Sequence, residues 1–418
     1  MNSASYLCRC GLGLVWQYKA RLHPTIGHSK PFLQPNHPVT FTTLKEKMPS
    51  QQVFRLAGSR STYHELQTFD EPIPTISNRE VLIRVRAVAL NYRDLAISKS
   101  LYPFPVKDQV VPCSDAAGEI VEVGSAITKD LAKGDTVVGA FDPTALYGPM
   151  RDWDNGQGGP VDGVLRQYIV LPAEAVVKVP KESNLSHAQW ASLVCTGVTA
   201  WNALYGNLPL KPGQTVLFQG ELLCYGHCQL ARKESLLTLI SSGTGGVSIT
   251  GLILAKAAGA TTIITSSSDE KLKHVQARYG ADHVINYKKT PDWAAEAQRI
   301  TGGRGVDFVL ENGGAGTIKQ SIEAIAMGGI ISVIGFLASI PQSEMPDVAL
   351  LALSKNAVVR GIMVGSKQML EDMVRFVGER GLDIPVEKTF GFTRDEVVKA
   401  YEYLESAQHI GKVCINVD

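Results

Sequence analysis

With 418 residues, 44% of them hydrophobic and 19% charged, the chain carries apolar material for two or three buried cores, since single cores stop growing near about 250–300 residues. Lys plus Arg number 41 against 40 Asp plus Glu, a balance that gives no long-range field for nucleic acid or an anionic membrane and leaves a small molecule as the expected partner. The seven cysteines are scattered and odd in number, which fits a reducing, cytoplasmic setting, and the most apolar stretch, 247–260, falls short of the roughly 20 residues of a membrane span.

Residues 1–47 hold six Lys or Arg and three His against the single acid Glu46, with no sustained periodicity. They are expected to lie outside the fold, as a mitochondrial transit peptide or as sequence upstream of a start at Met48. Over 48–190, short β-rich runs at 81–88 and 118–123 between turn clusters predict an all-β, barrel-like module. The rhythm changes over 191–355. Strands at 215–218, 262–265, 283–285, 306–310 and 330–334 alternate with helices at 246–258, 269–279 and 317–327, which predicts an α/β unit with a doubly wound parallel sheet. Residues 356–418 pair a helix at 394–404 with a strand at 411–417, a tail expected to return to the first module.

Gly243, Thr244, Gly245, Gly246 and Val247 form a glycine-rich turn opening the helix at 246, where unpaired backbone N–H groups can receive a pyrophosphate. A NAD enzyme usually ends its second strand with a carboxylate for the ribose; here Thr265, Ser266, Ser267 and Ser268 precede Lys271. Hydroxyls and an ammonium suit a 2′-phosphate, so NADP is favoured and NAD stays open because of Asp269 and Glu270. The same serines also read as a helix N-cap.

The run Asn91-Tyr92-Arg93-Asp94, the segments 118–124, 163–168, 196–202 and 302–306, the glycine-rich turn and the closing Gly411-Lys412-Val413 together resemble the zinc-free, quinone-oxidoreductase-like branch of the medium-chain dehydrogenase/reductase superfamily, across nearly all of 48–418. The resemblance implies a GroES-like β-rich catalytic domain around a Rossmann domain, with the nicotinamide in the cleft between them and a homodimer as the common assembly. In zinc alcohol dehydrogenases of this superfamily a Cys stands at the position of Asn91, and Gly-His-Glu at Cys113, Ser114 and Asp115. Zinc prefers thiolate and imidazole, so no metal is expected. The four closely spaced cysteines of the second, structural zinc are missing between 140 and 170 as well.

Without a Lewis acid a hydroxyl or amide must steady the charge growing on the substrate oxygen. Tyr102, eleven residues after Asn91, stands at the spacing at which similar quinone and enoyl-thioester reductases carry an active-site tyrosine; packing against the barrel is its plainer role. Asn91 is a ligand for ribose or substrate, or an Asx-turn former. Thr196 faces the nicotinamide by resemblance, or caps a helix. Gly335 and Phe336 end a Rossmann strand, where ligands gather. Tyr287 and Lys412 are further cofactor candidates, a surface lysine being the default for the latter. The expected activity is NADPH-dependent reduction of a quinone or a conjugated enone, with zinc-independent carbonyl reduction and a non-enzymatic homologue as alternatives.

By the same resemblance Phe218-Gln219-Gly220 should run directly into Thr244-Gly245-Gly246, yet the segment 221–243 intervenes. Its Cys224, His227 and Cys228 lack a fourth ligand at metal spacing. A retained, in-frame intron is the economical reading, since Gly220-Glu221-Leu222 can encode GTGAGT and Ser242-Gly243 an acceptor-like CAG. The interruption is expected to weaken cofactor binding.

Overall fold

A computed structural model of the chain describes residues 49–219, 245–335 and 340–417, together with the backbone strands 5–10 and 14–19. The chain divides into two units, Met1–Lys47 and Met48–Asp418. In the first, strands β1 (Ser5–Cys10) and β2 (Leu14–Lys19) pair as an antiparallel hairpin.

The larger unit opens with an antiparallel pair, β3 (Ser50–Leu56) and β4 (Leu66–Pro72). There follow β5 (Glu80–Ala89), helix α1 (Tyr92–Ser98), β6 (Asp115–Val123), β7 (Thr136–Gly139), β8 (Tyr168–Pro172) and β9 (Val176–Lys178). In β5 the alternation is confined to 83–86, where Ile83 and Val85 are buried and Arg84 and Arg86 half-buried, while Leu82, Ala87, Val88 and Ala89 are all buried. Helices α2 (His187–Ala191) and α3 (Thr196–Tyr205) lead into β10 (Thr215–Phe218), all four of whose residues are buried. Such a run is what a central parallel strand covered on both faces requires.

The alternation then continues through α4 (Gly246–Ala257), β11 (Thr261–Ser266), α5 (Asp269–Tyr279), β12 (His283–Asn286), α6 (Trp293–Ile300), β13 (Val306–Glu311), α7 (Ile318–Ala324), β14 (Ile325–Val333), α8 (Val348–Ser354) and β15 (Val358–Gly361). Last come α9 (Lys367–Arg380), β16 (Val386–Phe390), α10 (Arg394–Glu405) and β17 (Lys412–Asn416). The order β12-β11-β10-β13-β14-β15, parallel throughout, is that of a doubly wound dinucleotide-binding sheet. β17 pairs antiparallel with β5 and parallel with β16, so the barrel sheet is built from both ends of the unit.

The helix expected over 317–327 stops at Ala324, and Ile325 already pairs with Val306 as the first residue of β14. One apolar cluster runs from Ala89, Ala117 and Val138 of the barrel through Trp190 and Leu193 to Phe218 and Ile249 of the sheet, so the two lobes share a core beside the cleft. No helix among the described residues is long and apolar enough to cross a membrane.

Candidate active site

A cleft of about 260 Å³ between the lobes collects Asn91, Tyr102, Thr196, Gly245, Gly246, Val247, Gly335 and Lys412 of the sequence candidates. Gly245 is the N-cap of α4, and the first capping bond runs from Ile249 N to Gly245 O at 3.1 Å. Helical geometry leaves the amides of Gly246, Val247 and Ser248 without intrahelical acceptors, an anion-receiving terminus. Two close approaches explain the glycines here. A Cβ on Gly246 would lie 2.7 Å from Lys412 Cδ and 2.9 Å from Thr196 Cγ2, and one on Gly335 would lie 2.1 Å from Asn312 O. Thr196 opens α3 and donates its hydroxyl to Ser192 O at 2.7 Å. Gly243, Thr244, Phe336 and the Cys224-His227-Cys228 group lie outside the described residues.

Lys412 is not a surface lysine. It is 3% exposed, and its ammonium donates to Leu90 O at 2.7 Å and Asn91 Oδ1 at 2.6 Å, with Asp115 Oδ2 at 3.9 Å. A buried ammonium needs such acceptors. The Asn91 backbone N–H donates to Asp94 Oδ2 at 2.8 Å, which fixes the start of α1, and burial pushes the Asp94 carboxyl up to about 6. With its oxygen engaged by Lys412, the Asn91 side chain holds a buried Nδ2 that has no partner among the described residues. An orphaned donor lining a cleft is a group waiting for a ligand acceptor.

Sequence reasoning missed Arg93. The chain reverses at Ser100, where φ is +54°, and returns Tyr102 beside α1, so that the hydroxyl accepts from Arg93 Nε at 3.1 Å. Arg93 is anchored by Nη1 to Gln157 O at 2.7 Å, and its guanidinium carbon lies 5.1 Å from the Tyr102 ring centroid and 4.9 Å from that of Phe141. Burial pushes the Tyr102 phenol above its ordinary range, with Arg93 opposing. The hydroxyl therefore keeps its proton, and because its oxygen already accepts from Arg93 that proton is free to be donated into the cleft. Phe104 packs edge-on against Tyr102, with centroids 5.3 Å apart, and stacks on Trp153 at 3.9 Å, forming an apolar wall.

These donors do not fit zinc. Asn91 Oδ1 is occupied by an ammonium, Asp115 accepts from Ser114 Oγ at 2.6 Å and Cys195 N at 3.0 Å, and burial pushes the Cys195 thiol up to about 12 and the Cys113 thiol well above its usual value. The Lys412 ammonium, on Asn91 Oδ1 and 3.9 Å from Asp115 Oδ2, sets a fixed positive charge against the oxygens a divalent ion would need.

Ser266, Lys271 and Tyr287 are not among the residues lining this cleft. Ser266 is fully buried at the end of β11, its hydroxyl accepting from Ser268 N at 3.3 Å. Ser268 caps α5, and the Lys271 ammonium donates to Ala407 O at 2.8 Å. Tyr287 is half-buried, its backbone N–H on Ser266 O. Asp269 accepts from Asn286 Nδ2 at 2.6 Å and pairs with Lys289, which holds its carboxyl below the usual range.

His409 lines the cleft at 5% exposure, and burial, with help from Lys271 and Lys412, holds its imidazole down at about 4. The folded protein keeps it neutral where the unfolded chain, titrating near 6.5, takes a proton, so stability is lost as pH falls from about 6.5 to about 4. The loss approaches about 3 kcal/mol. Asp94 titrates upward and acts with the opposite sign, gaining folded-state stability as pH falls through about 6. Denaturant unfolding of wild type and His409→Gln at pH 7 and pH 4.5 isolates the imidazole: the variant gains on wild type at the lower pH, and parallel behaviour removes this account.

A β-rich lobe closed by the chain's own tail, with a parallel 3-2-1-4-5-6 sheet and a glycine-opened helix at the cleft, defines the two-domain architecture of a dehydrogenase or reductase. Residues 77–181 match the family described as alcohol dehydrogenase GroES-like domain, and residues 246–379 match zinc-binding dehydrogenase. A zinc-type alcohol dehydrogenase-like protein of Schizosaccharomyces pombe is 42% identical over 366 residues, covering 86% of this chain and 97% of its own. An acryloyl-coenzyme A reductase of Metallosphaera sedula is 27% identical over 363 residues, 84% of this chain and 96% of its own. The crystal structure of a putative alcohol dehydrogenase from Sinorhizobium meliloti superimposes with a TM-score of 0.73 at 35% identity, over 88% of this chain and all of that one. The chain belongs to the medium-chain dehydrogenase/reductase superfamily, in its branch of zinc-type alcohol dehydrogenase-like and quinone-oxidoreductase-like oxidoreductases.

Proposed function

We propose that the chain is an NADPH-dependent reductase of quinones or of carbon–carbon double bonds conjugated to a carbonyl, acting without zinc. The observation that carries this reading is the Tyr102 hydroxyl, polarised by Arg93 and free to donate, in the same cleft as the amide-bearing start of α4. The nicotinamide, when bound, supplies the hydride. The amides of Gly246 and Val247 receive its pyrophosphate, and the orphan Asn91 Nδ2 donates to a ribose or substrate oxygen.

Hydride delivered to a conjugated system places the growing charge on an enolate or hydroquinone oxygen, which is far less basic than the alkoxide formed from a saturated carbonyl. A neutral phenol can carry that charge by hydrogen bonding, whereas an alkoxide calls for a Lewis acid or full proton transfer. The Phe104–Trp153 wall suits a planar, apolar acceptor. The name of the Metallosphaera relative concerns an enoyl thioester, a substrate of the same electronic kind. NADPH is favoured because β11 ends at Ser266 with Ser267 and Ser268 following and no carboxylate before Asp269, which is held by Lys289 and Asn286.

Steady-state NADPH oxidation with a benzoquinone, an open-chain enone and a saturated aldehyde tests the reading. A conjugated acceptor is expected to exceed the aldehyde in kcat/KM by about 100-fold or more. Preference for the aldehyde points to carbonyl reduction, and no turnover with any acceptor despite nucleotide binding points to a non-enzymatic homologue.

A further inference from the structure

Val364 is the one β-branched residue among the described non-glycine residues with positive φ, at +45°. It is 9% exposed and, with Ile362 and Met363, lines the cleft. The left-handed region brings a β-branched side chain into conflict with its own backbone, so such a residue persists only where its surroundings over-determine it. The restraint is visible. Asn202, on α3 and 6% exposed, donates from Nδ2 to Val364 O at 2.8 Å.

Asn202 is itself fixed from the far side, where Arg360 of β15 donates from Nη2 to Asn202 Oδ1 at 2.7 Å and from Nη1 to Asn202 O at 3.2 Å. Room for that carboxamide depends on Gly206, whose Cβ would lie 2.0 Å from Asn202 Oδ1. Gly365 completes the fit, since a Cβ there would lie 2.8 Å from Val198 Cγ1. Three elements, α3, β15 and the segment before α9, are thus locked at one buried amide.

We infer that Asn202, braced by Arg360, is a positioning residue that holds Val364 in its left-handed conformation and so fixes the cleft wall 362–364. The inference rests on reading this cleft as the nicotinamide site only for its functional consequence; the backbone restraint stands by itself. In Asn202→Asp the isosteric carboxylate still accepts from Arg360, while the donor to Val364 O is gone and an oxygen faces a carbonyl oxygen. In Val364→Gly the left-handed conformation carries no steric penalty, so the wall no longer needs the restraint.

Amide hydrogen exchange over 362–366 and thermal unfolding are measured on the full chain for wild type, Asn202→Asp, Val364→Gly and the double variant. NADPH affinity is measured in parallel, on the full chain and on the form lacking residues 221–243. Asn202→Asp is expected to accelerate exchange in that segment and weaken NADPH binding by about tenfold, with both effects smaller when the same substitution is made in Val364→Gly. If Asn202→Asp fails to fold, recovery of folding by the added Val364→Gly is the supporting result. Unchanged exchange in Asn202→Asp, or defects of equal size in the wild-type and Val364→Gly backgrounds, overturns the inference. A wild-type protein that binds no nucleotide in either form counts against the nicotinamide reading and leaves the exchange result to decide this one.

Discussion

Removing the Tyr102 hydroxyl in Tyr102→Phe lowers kcat for a conjugated acceptor by about 100- to 1000-fold, with little change in NADPH affinity. The magnitude is that of one preorganised donor at a developing oxyanion, about 2.7–4 kcal/mol. Preorganisation comes from Arg93, whose Nε holds the phenol oxygen at 3.1 Å while Nη1 is anchored on Gln157 O. Burial keeps the phenol protonated through the neutral range, so activity shows no alkaline loss from this group near the ordinary tyrosine value. The ring of the variant retains its edge contact with Phe104, which keeps the wall in place. Arg93→Lys preserves the charge and loses the planar fork, and is expected to fall between wild type and Tyr102→Phe. Single-turnover and steady-state kinetics with a benzoquinone check both variants. A Tyr102→Phe enzyme that retains most of its kcat excludes the phenol as the donor.

The doubly wound sheet was legible because its determinants are local. The strand at 215–218 and the helix at 269–279 have the bounds read from sequence: β10 is a bare apolar run between turns, and α5 is bracketed by the Ser268 cap and a left-handed Gly280. The misreading at 317–327 marks where local signals fail. Ile325, Ala326 and Met327 continue the helical pattern of α7, but pairing of Ile325 with Val306 captures them for β14 before Gly328 turns at φ +78°.

Placement in the cleft was legible where backbone chemistry decides it, at 245–247 and the start of α1, and hidden where partners come from afar. Burial of Lys412 is set by Leu90 O and Asn91 Oδ1, which stand near the opposite end of the larger unit's sequence. The Arg93–Tyr102 pair depends on a left-handed Ser100 that no spacing rule announces. Ser266 and Lys271 looked like phosphate ligands by composition, yet the strand end turns the hydroxyl inward to Ser268 N and the helix directs the ammonium to Ala407 O.

Deleting residues 221–243 is expected to tighten NADPH binding by at least about tenfold while leaving the fold intact. The two flanks of the interruption are already in register. Ser248 Oγ donates to Gln219 O at 2.9 Å, and Asn312 Nδ2 reaches Gln219 O at 3.2 Å and Ser248 Oγ at 3.0 Å. Behind them the fully buried Glu311 accepts from Gln219 Nε2 at 2.6 Å and from the amides of Gly313 and Gly314, each at 2.8 Å. The seat of α4 on β10 therefore rests on contacts made outside the segment 221–243.

After deletion, Gly220 and Thr244 alone join Gln219 to Gly245, a link that reaches up to about 11 Å, and Gly245 stands three residues before Ser248, whose hydroxyl donates to Gln219 O. Closing the longer loop costs about 3 kcal/mol, so the shortened protein is expected to gain stability by up to that amount rather than lose it. The interruption enters directly ahead of the amides proposed to receive the pyrophosphate, where added chain is expected to compete with the ligand for the helix start. Fluorescence titration of both forms with NADPH and NADH decides the matter. Tighter NADPH binding after deletion ties the inserted segment to an impaired phosphate site, and transcripts lacking it would make the shorter chain the working enzyme. Equal affinities would mean that the glycine turn binds its ligand with the interruption in place.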